Sequence, residues 1–199
     1  MVSAENQLPL VALLGDSIRM GYQSVVVREL EGVAEVWAPE ENGAHIKHTR
    51  SRLETWFADR GPALVHINVG LHDMWVQEDG TNRHPLPEYL VGLREILEWL
   101  RDHTEARVVF ALTTPVDQER QRQSNYGRVV RRNEDIPAYN TPTRALVESL
   151  DMGVDDLYGV VMAVGVDNVI ADDGVHFRPE GYELLGKAVA ACILRELST

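Results

Sequence analysis

Apolar runs of strand length alternate with segments of helical period along this chain, and that alternation leaves few architectures open. The runs are Leu8 to Leu14, Val33 to Ala38, Ala63 to Val69, Arg107 to Leu112 and a weaker Val154 to Leu157. Between them, Met20 to Leu30, Lys47 to Asp59, Pro87 to Asp102 and Ala138 to Leu150 carry apolar residues three and four apart. Strands that are apolar throughout are buried on both faces, and helices interposed between them make the crossovers of a parallel sheet. Pro87 suits the first turn of its helix, where a missing N–H costs nothing. A last helix, Pro179 to Leu197, presents Tyr182, Leu185, Val189 and Cys192 as one stripe and should cap the sheet. With no repeat, low-complexity tract or linker in view, residues 1–199 read as a single domain. Two irregular stretches, Leu71 to Leu86 and Thr113 to Ile136, follow strands. In an open parallel sheet such loops surround the ligand crevice.

Charge and composition narrow the partners. The formal charge is -12 with Lys and Arg dispersed, so the protein's own field opposes a phosphate backbone, and no nucleic acid is expected. No apolar run approaches the ~18 residues that span a bilayer, so no membrane is expected either. Cys192 is the only cysteine and can form no intrachain disulfide. The run Leu8 to Leu14 has no basic segment before it and passes straight into Gly15-Asp16-Ser17, which predicts a cytoplasmic address unless a leader was trimmed earlier.

Two short motifs carry chemistry. Gly15-Asp16-Ser17 ends the first strand and precedes a helix, which lifts a serine hydroxyl to a helix N-terminus, a place that favours developing negative charge. The same position equally suits a plain N-cap serine. Asp173-Gly174-Val175-His176 stands just ahead of the final helix. Three residues apart on one loop, a carboxylate can fix the tautomer of an imidazole, and such an imidazole can take a proton from a serine. Alone, such a pair is more often an incidental surface contact. His45 and His48 have the spacing of two metal ligands on one helical turn, but no third ligand follows at a recognisable offset, so capping or solvated roles are expected and no metal or cofactor is called for. Gly-x-Ser-x-Gly is absent from the chain.

Together the two motifs resemble, in chain order and context, the SGNH/GDSL hydrolases. Gly15-Asp16-Ser17 resembles the family's nucleophile block, and Gly43 in Glu41-Asn42-Gly43-Ala44 its second-block glycine. Gly70-Leu71-His72-Asp73 stands where the family reads Gly-x-Asn-Asp, and Asp173-Gly174-Val175-His176 matches the last block fully and is followed by Phe177. Thr113-Thr114-Pro115-Val116, Tyr139-Asn140 and Asp156-Leu157-Tyr158 also look like this family, so the resemblance spans nearly the whole chain. It implies a flavodoxin-like three-layer α/β/α sandwich with a five-stranded parallel sheet in the order 2-1-3-4-5. It further implies a serine esterase acting on a small-molecule ester, acetyl or short-acyl, with carbohydrate esters among the candidates. Ser17 would be the nucleophile, His176 the base and Asp173 its orienting carboxylate, with an oxyanion hole formed by the backbone N–H groups of Ser17 and Gly43 and by His72.

His72 departs from the family's asparagine. A neutral imidazole can donate one N–H in place of the amide; the alternatives are a structural histidine or a weakened hole, the last of which would suit a non-catalytic binding module on the same fold. Asp16 and Asp73 are expected to hold their turns. Arg120, Arg122, Arg128, Arg131 and Arg132 either attract an anion to the rim or pair with Glu119, Glu134 and Asp135. Trp75 and Tyr126 are candidates for flat surfaces beside the site or for loop packing.

Overall fold

The computed structural model describes residues 8–124 and 130–199. Five strands, β1 (Leu10–Leu14), β2 (Glu35–Trp37), β3 (Leu64–Ile67), β4 (Arg107–Ala111) and β5 (Gly153–Asp155), form one sheet in the order β2-β1-β3-β4-β5. All four pairings are parallel, with Val11 opposite Leu64, Ile67 opposite Phe110 and Ala111 opposite Asp155. Val11 to Leu14, Leu64, Val65, Ile67, Val109 and Phe110 are fully buried, which is why these strands carry no polar alternation.

Helices cover both faces. On one, α1 (Ser17–Glu29) packs against α8 (Pro179–Leu197), which also meets α6 (Leu157–Val164) and α7 (Val166–Val169); on the other, α2 (Ile46–Phe57), α3 (Leu86–His103) and α5 (Asp135–Ser149) lie side by side. A short α4 (Gln118–Ser124) stands in the loop after β4. The fold and strand order are those expected from the sequence; the departures are local, and three of them come from caps. The first helix starts at Ser17 rather than Met20 because the Asp16 carboxylate accepts the Ile18 N–H at 2.9 Å. The last strand ends at Asp155, two residues early, because Asp156 accepts the Gly159 N–H at 2.8 Å and turns Leu157 into the first residue of a helix. Within the irregular stretch after β4, Asp117 accepts the Glu119 and Arg120 N–H groups, each at 3.0 Å, and so starts α4. Among the described residues, no helix is long and apolar enough to cross a membrane.

The loops that leave β2 and β3 are pinned together by Asp73, which is fully buried. Its Oδ1 accepts the Ile46 N–H at 3.2 Å from the first turn of α2 and lies 2.7 Å from His84 Nδ1 just before α3. Burial is the largest influence on both groups: it pushes Asp73 up to about 7 against the opposing pull of Ile46 and Arg83, and it depresses His84. Both shifts favour the uncharged forms, a protonated acid bonded to a neutral ring.

A raised carboxyl pKa means that the native state holds this proton more tightly than the unfolded chain does. The stabilisation is therefore complete below the ordinary value of 3.8, declines as pH rises, and is gone above about 7. Asp73→Asn keeps the shape and stays neutral at every pH. Its stability relative to the parent, measured by urea unfolding at a series of pH values, should climb between about pH 4 and pH 7 and then level off. A difference that stays flat across that interval would refute this account of the pair.

Candidate active site

The turn between β1 and α1 is built for one residue type at each position. Gly15 has φ 155°, and a Cβ there would collide with the Asn68 side-chain oxygen and come within 2.8 Å of Arg19 Cβ. Asp16 is fully buried, and its Oδ1 accepts both the Ile18 N–H and the Asn68 amide at 2.9 Å. Ser17 is thereby fixed as the first residue of α1, half-buried, with its N–H unpartnered among the described residues. The free N–H groups of a helix N-terminus and its dipole favour negative charge at this spot.

A second tight loop brings the imidazole. An antiparallel bridge between Ile170 and Phe177 closes the segment ahead of α8, with the Ala171 N–H donating to the His176 carbonyl at 2.8 Å. Within it, Asp173 Oδ1 accepts the Val175 and His176 N–H groups at 2.9 Å each, and Oδ2 lies 2.6 Å from His176 Nδ1. His176 Nε2 is 2.9 Å from Ser17 Oγ. Desolvation works upward on the Asp173 carboxyl, but the hydrogen bonds from His176 and from the two backbone N–H groups outweigh it and hold the group below the usual carboxylate range. The acid is therefore ionised at neutral pH, and Nδ1 carries the proton that bonds to it. That leaves Nε2 as the acceptor facing the serine hydroxyl.

These groups open into a cleft of about 370 Å³ that is also lined by Asn42, His72, Trp75 and Arg131. His72 is half-buried and its ring has no partner among the described residues. Burial, followed by the positive charges of Arg131 and Arg83, lowers its pKa against the pull of Asp16. At neutral pH it is an uncharged ring with one N–H to donate. Gly43 is placed differently from the expectation. Its N–H donates to the Gly15 carbonyl at 2.9 Å, and a Cβ at Gly43 would stand 2.9 Å from that same oxygen. In this arrangement the residue braces the serine turn, and its N–H is already used. Asn42, singled out for no role in the sequence reading, has its Oδ1 accepting the Ala44 N–H at 2.7 Å while its amide nitrogen lacks a partner among the described residues. The visible signal was the Asn-Gly pair, which commonly makes such a turn.

The arginines after β4 separate into two kinds. Arg120 pairs with Asp117 at 3.3 Å and Asp167 at 3.0 Å, Arg122 with Glu119 at 3.2 Å, and Arg132 with Asp135 at 3.6 Å. Arg131 is buried, donates Nε to the Leu71 carbonyl at 2.5 Å and lies 5.3 Å from the Trp75 ring centre. Burial lowers its pKa to about 10, which leaves it charged at neutral pH. Arg128 and Tyr126 lie outside the described residues.

His45 and His48 do not act as a pair of ligands. His48 stands 3.7 Å from Glu41, whereas the His45 ring caps α2 by accepting the His48 N–H at 3.4 Å. His45 instead groups with Asp73 and His84, their donor atoms within 4.8 Å of one another. Burial and then the nearby His84 and Arg83 push His45 down to about 4. Asp73 and His84 already satisfy each other at 2.7 Å, nearer than two atoms each ~2.0–2.1 Å from one tetrahedral zinc would stand. The trio reads as a brace behind the cleft.

Several known proteins share this fold. The fold is similar to that of a lipase/acylhydrolase from Enterococcus faecalis, with TM-score 0.79 at 22% identity over 95% of this chain and 97% of that one. It is also similar to a catalytic mutant of Axe2, an acetylxylan esterase from Geobacillus stearothermophilus, with TM-score 0.74 at 17% identity over 95% of each chain. A third likeness is to the psychrotrophic esterase EstA from Pseudoalteromonas sp. in a structure inhibited by monoethylphosphonate, with TM-score 0.72 at 13% identity over 96% of this chain and 100% of that one. No curated protein sequence matches. The sequence pattern of the GDSL-like Lipase/Acylhydrolase family matches residues 13–184, nearly the full length from the serine turn into α8, and the chain belongs to that family.

Proposed function

We propose that this protein is a serine esterase that hydrolyses a small carboxylic ester through an acyl-enzyme. The reading is carried by the continuous hydrogen-bonded line from Asp173 Oδ2 through His176 to Ser17 Oγ, at 2.6 and 2.9 Å. Ser17 Oγ attacks the ester carbonyl while His176 Nε2 takes its proton, and the ionised Asp173 holds the imidazole in the needed tautomer and stabilises the imidazolium. As the tetrahedral adduct collapses, the carbonyl carbon keeps Ser17 Oγ, the bond to the alcohol oxygen breaks, and His176 returns the proton to the leaving alcohol. Water then enters by the same route, giving its proton to His176, and releases the acid and the free serine.

The oxyanion that forms in each half needs donors already aimed at it. The Ser17 N–H and the His72 ring N–H fill that role here, joined by the Asn42 amide, which lines the same cleft. Gly43 supports them from behind through Gly15 rather than donating directly. An acetyl or short acyl group suits the size of the cleft, and two of the similar folds belong to proteins described as acetyl xylan esterases, which keeps a carbohydrate ester in view.

A fluorophosphonate should label the protein stoichiometrically, and both labelling and hydrolysis of 4-nitrophenyl acetate should vanish in Ser17→Ala. A folded parent that resists labelling would make it a binding module instead. EDTA should leave the rate unchanged, because no step requires a metal. His72→Ala should lower kcat by about a hundredfold with little change in KM, the pattern of a contact made only in the transition state. An unaltered kcat would remove His72 from the hole.

A further inference from the structure

Arg131 is a buried cation without a paired anion among the described residues. No carboxylate among the described residues comes within 4.0 Å of its guanidinium, although every neighbouring described arginine in the segment has one. A guanidinium offers five N–H donors in a planar fork, and among the described residues only Nε is taken, by the Leu71 carbonyl at 2.5 Å. The group is also held in place. Its backbone exchanges two bonds with the Gln121 side chain, at 2.8 and 3.1 Å, and its charge rests 5.3 Å from the Trp75 ring centre. Arg83, which forms no ion pair among the described residues either, sits 5.6 Å from the same ring. The two carboxylates that face this cation across the cleft region, Asp16 and Asp173, are committed to the serine turn and to His176.

Withdrawing an unpaired charge from water is costly unless something compensates, and a fixed planar fork matches a carboxylate with two parallel hydrogen bonds. Since the whole protein carries a formal charge of -12, its long-range field does not gather anions, and any selection for them has to be local. Arg131 lines the same cleft as Ser17, His72 and His176. We infer that Arg131 selects an ester bearing a carboxylate a few atoms from the scissile bond, the carboxylate docking on the guanidinium fork while the ester carbonyl meets Ser17. This rests on the esterase reading given above and names its substrate class. The carboxylate can belong to the acyl half, as in a dicarboxylic hemiester, or to the alcohol half, as in the acetate of a hydroxy acid.

Two matched pairs distinguish those sources: 4-nitrophenyl hemiglutarate against 4-nitrophenyl valerate, and acetoxyacetate against acetoxyacetamide, each corrected for uncatalysed hydrolysis. In at least one pair the anion should be preferred in kcat/KM by about tenfold or more, as expected of a charge-assisted contact. Arg131→Gln should reduce that preference by about tenfold, whereas Arg122→Gln, exposed and paired with Glu119, should keep it. Anionic esters that react no faster than their neutral partners, or a preference that survives in Arg131→Gln, would overturn the inference. Should that variant fail to fold, the parent itself decides. Glutarate should inhibit valerate hydrolysis competitively, more strongly than glutaramide and less so as NaCl rises, and equal inhibition by the two would overturn the inference as well. Fluorophosphonate labelling of Ser17 in the same samples keeps the readings apart. Labelling without anion preference sinks only this one, and a folded protein without labelling sinks both.

Discussion

Everything at the carboxyl edge of the sheet depends on how the Gly15-Asp16 turn is gripped from two neighbouring strands. The Gly15 carbonyl accepts the Gly43 N–H from the loop after β2, and the Asp16 carboxylate accepts the Asn68 amide at the end of β3. Each bond joins segments far apart in sequence, and a hydrogen bond of this kind contributes about 1 kcal/mol, more where one partner is charged. The serine is thus set at the meeting point of three crossovers. Its location then follows from the parallel sheet and not from any flexible segment, in keeping with the rule that such sheets bind ligands beyond the ends of their strands.

Much of this was legible beforehand because it rests on local pattern. Doubly buried strands must be apolar along their length, so β1, β3 and β4 announce themselves, and Asp173 and His176 share a loop short enough for their bond to be local. The weaker elements depart from their pattern where a single cap outweighs an apolar run: Val154 to Leu157 reads as a strand, yet the Asp156 carboxylate converts its end into α6. What could not be read were pairings set by tertiary contact. Nothing in Glu41-Asn42-Gly43-Ala44 says that the glycine N–H is consumed by Gly15 or that the Asn42 amide is left over. Likewise, Arg131 and Arg132 are neighbours of one residue type, and only burial makes one of them different. His66 gave no hint of its buried contact with Asp155 at 3.0 Å, because that contact spans β4 from β3 to β5.

The cleft sets opposite electrical demands side by side. Asp173 is kept ionised by three hydrogen bonds, whereas His72 is kept neutral by burial and by the cations around it. These are the states that the proposed chemistry asks for, an anion behind the base and a neutral donor ahead of the serine. Behind the wall of the cleft, Asp73 and His84 show the same logic applied to architecture. Two ionisable groups are kept uncharged while they fasten the loops that leave β2 and β3 to each other.

The short helix α4 touches both sides of this arrangement. Through Gln121 it holds the backbone of Arg131, and through Asp117, whose N–H donates to the Gly174 carbonyl at 2.8 Å, it holds the loop that carries Asp173 and His176. A displacement of α4 away from the sheet would therefore drag the imidazole from its alcohol in the same motion that withdraws the guanidinium. The placement of the imidazole and that of the guanidinium are thus set by one short helix.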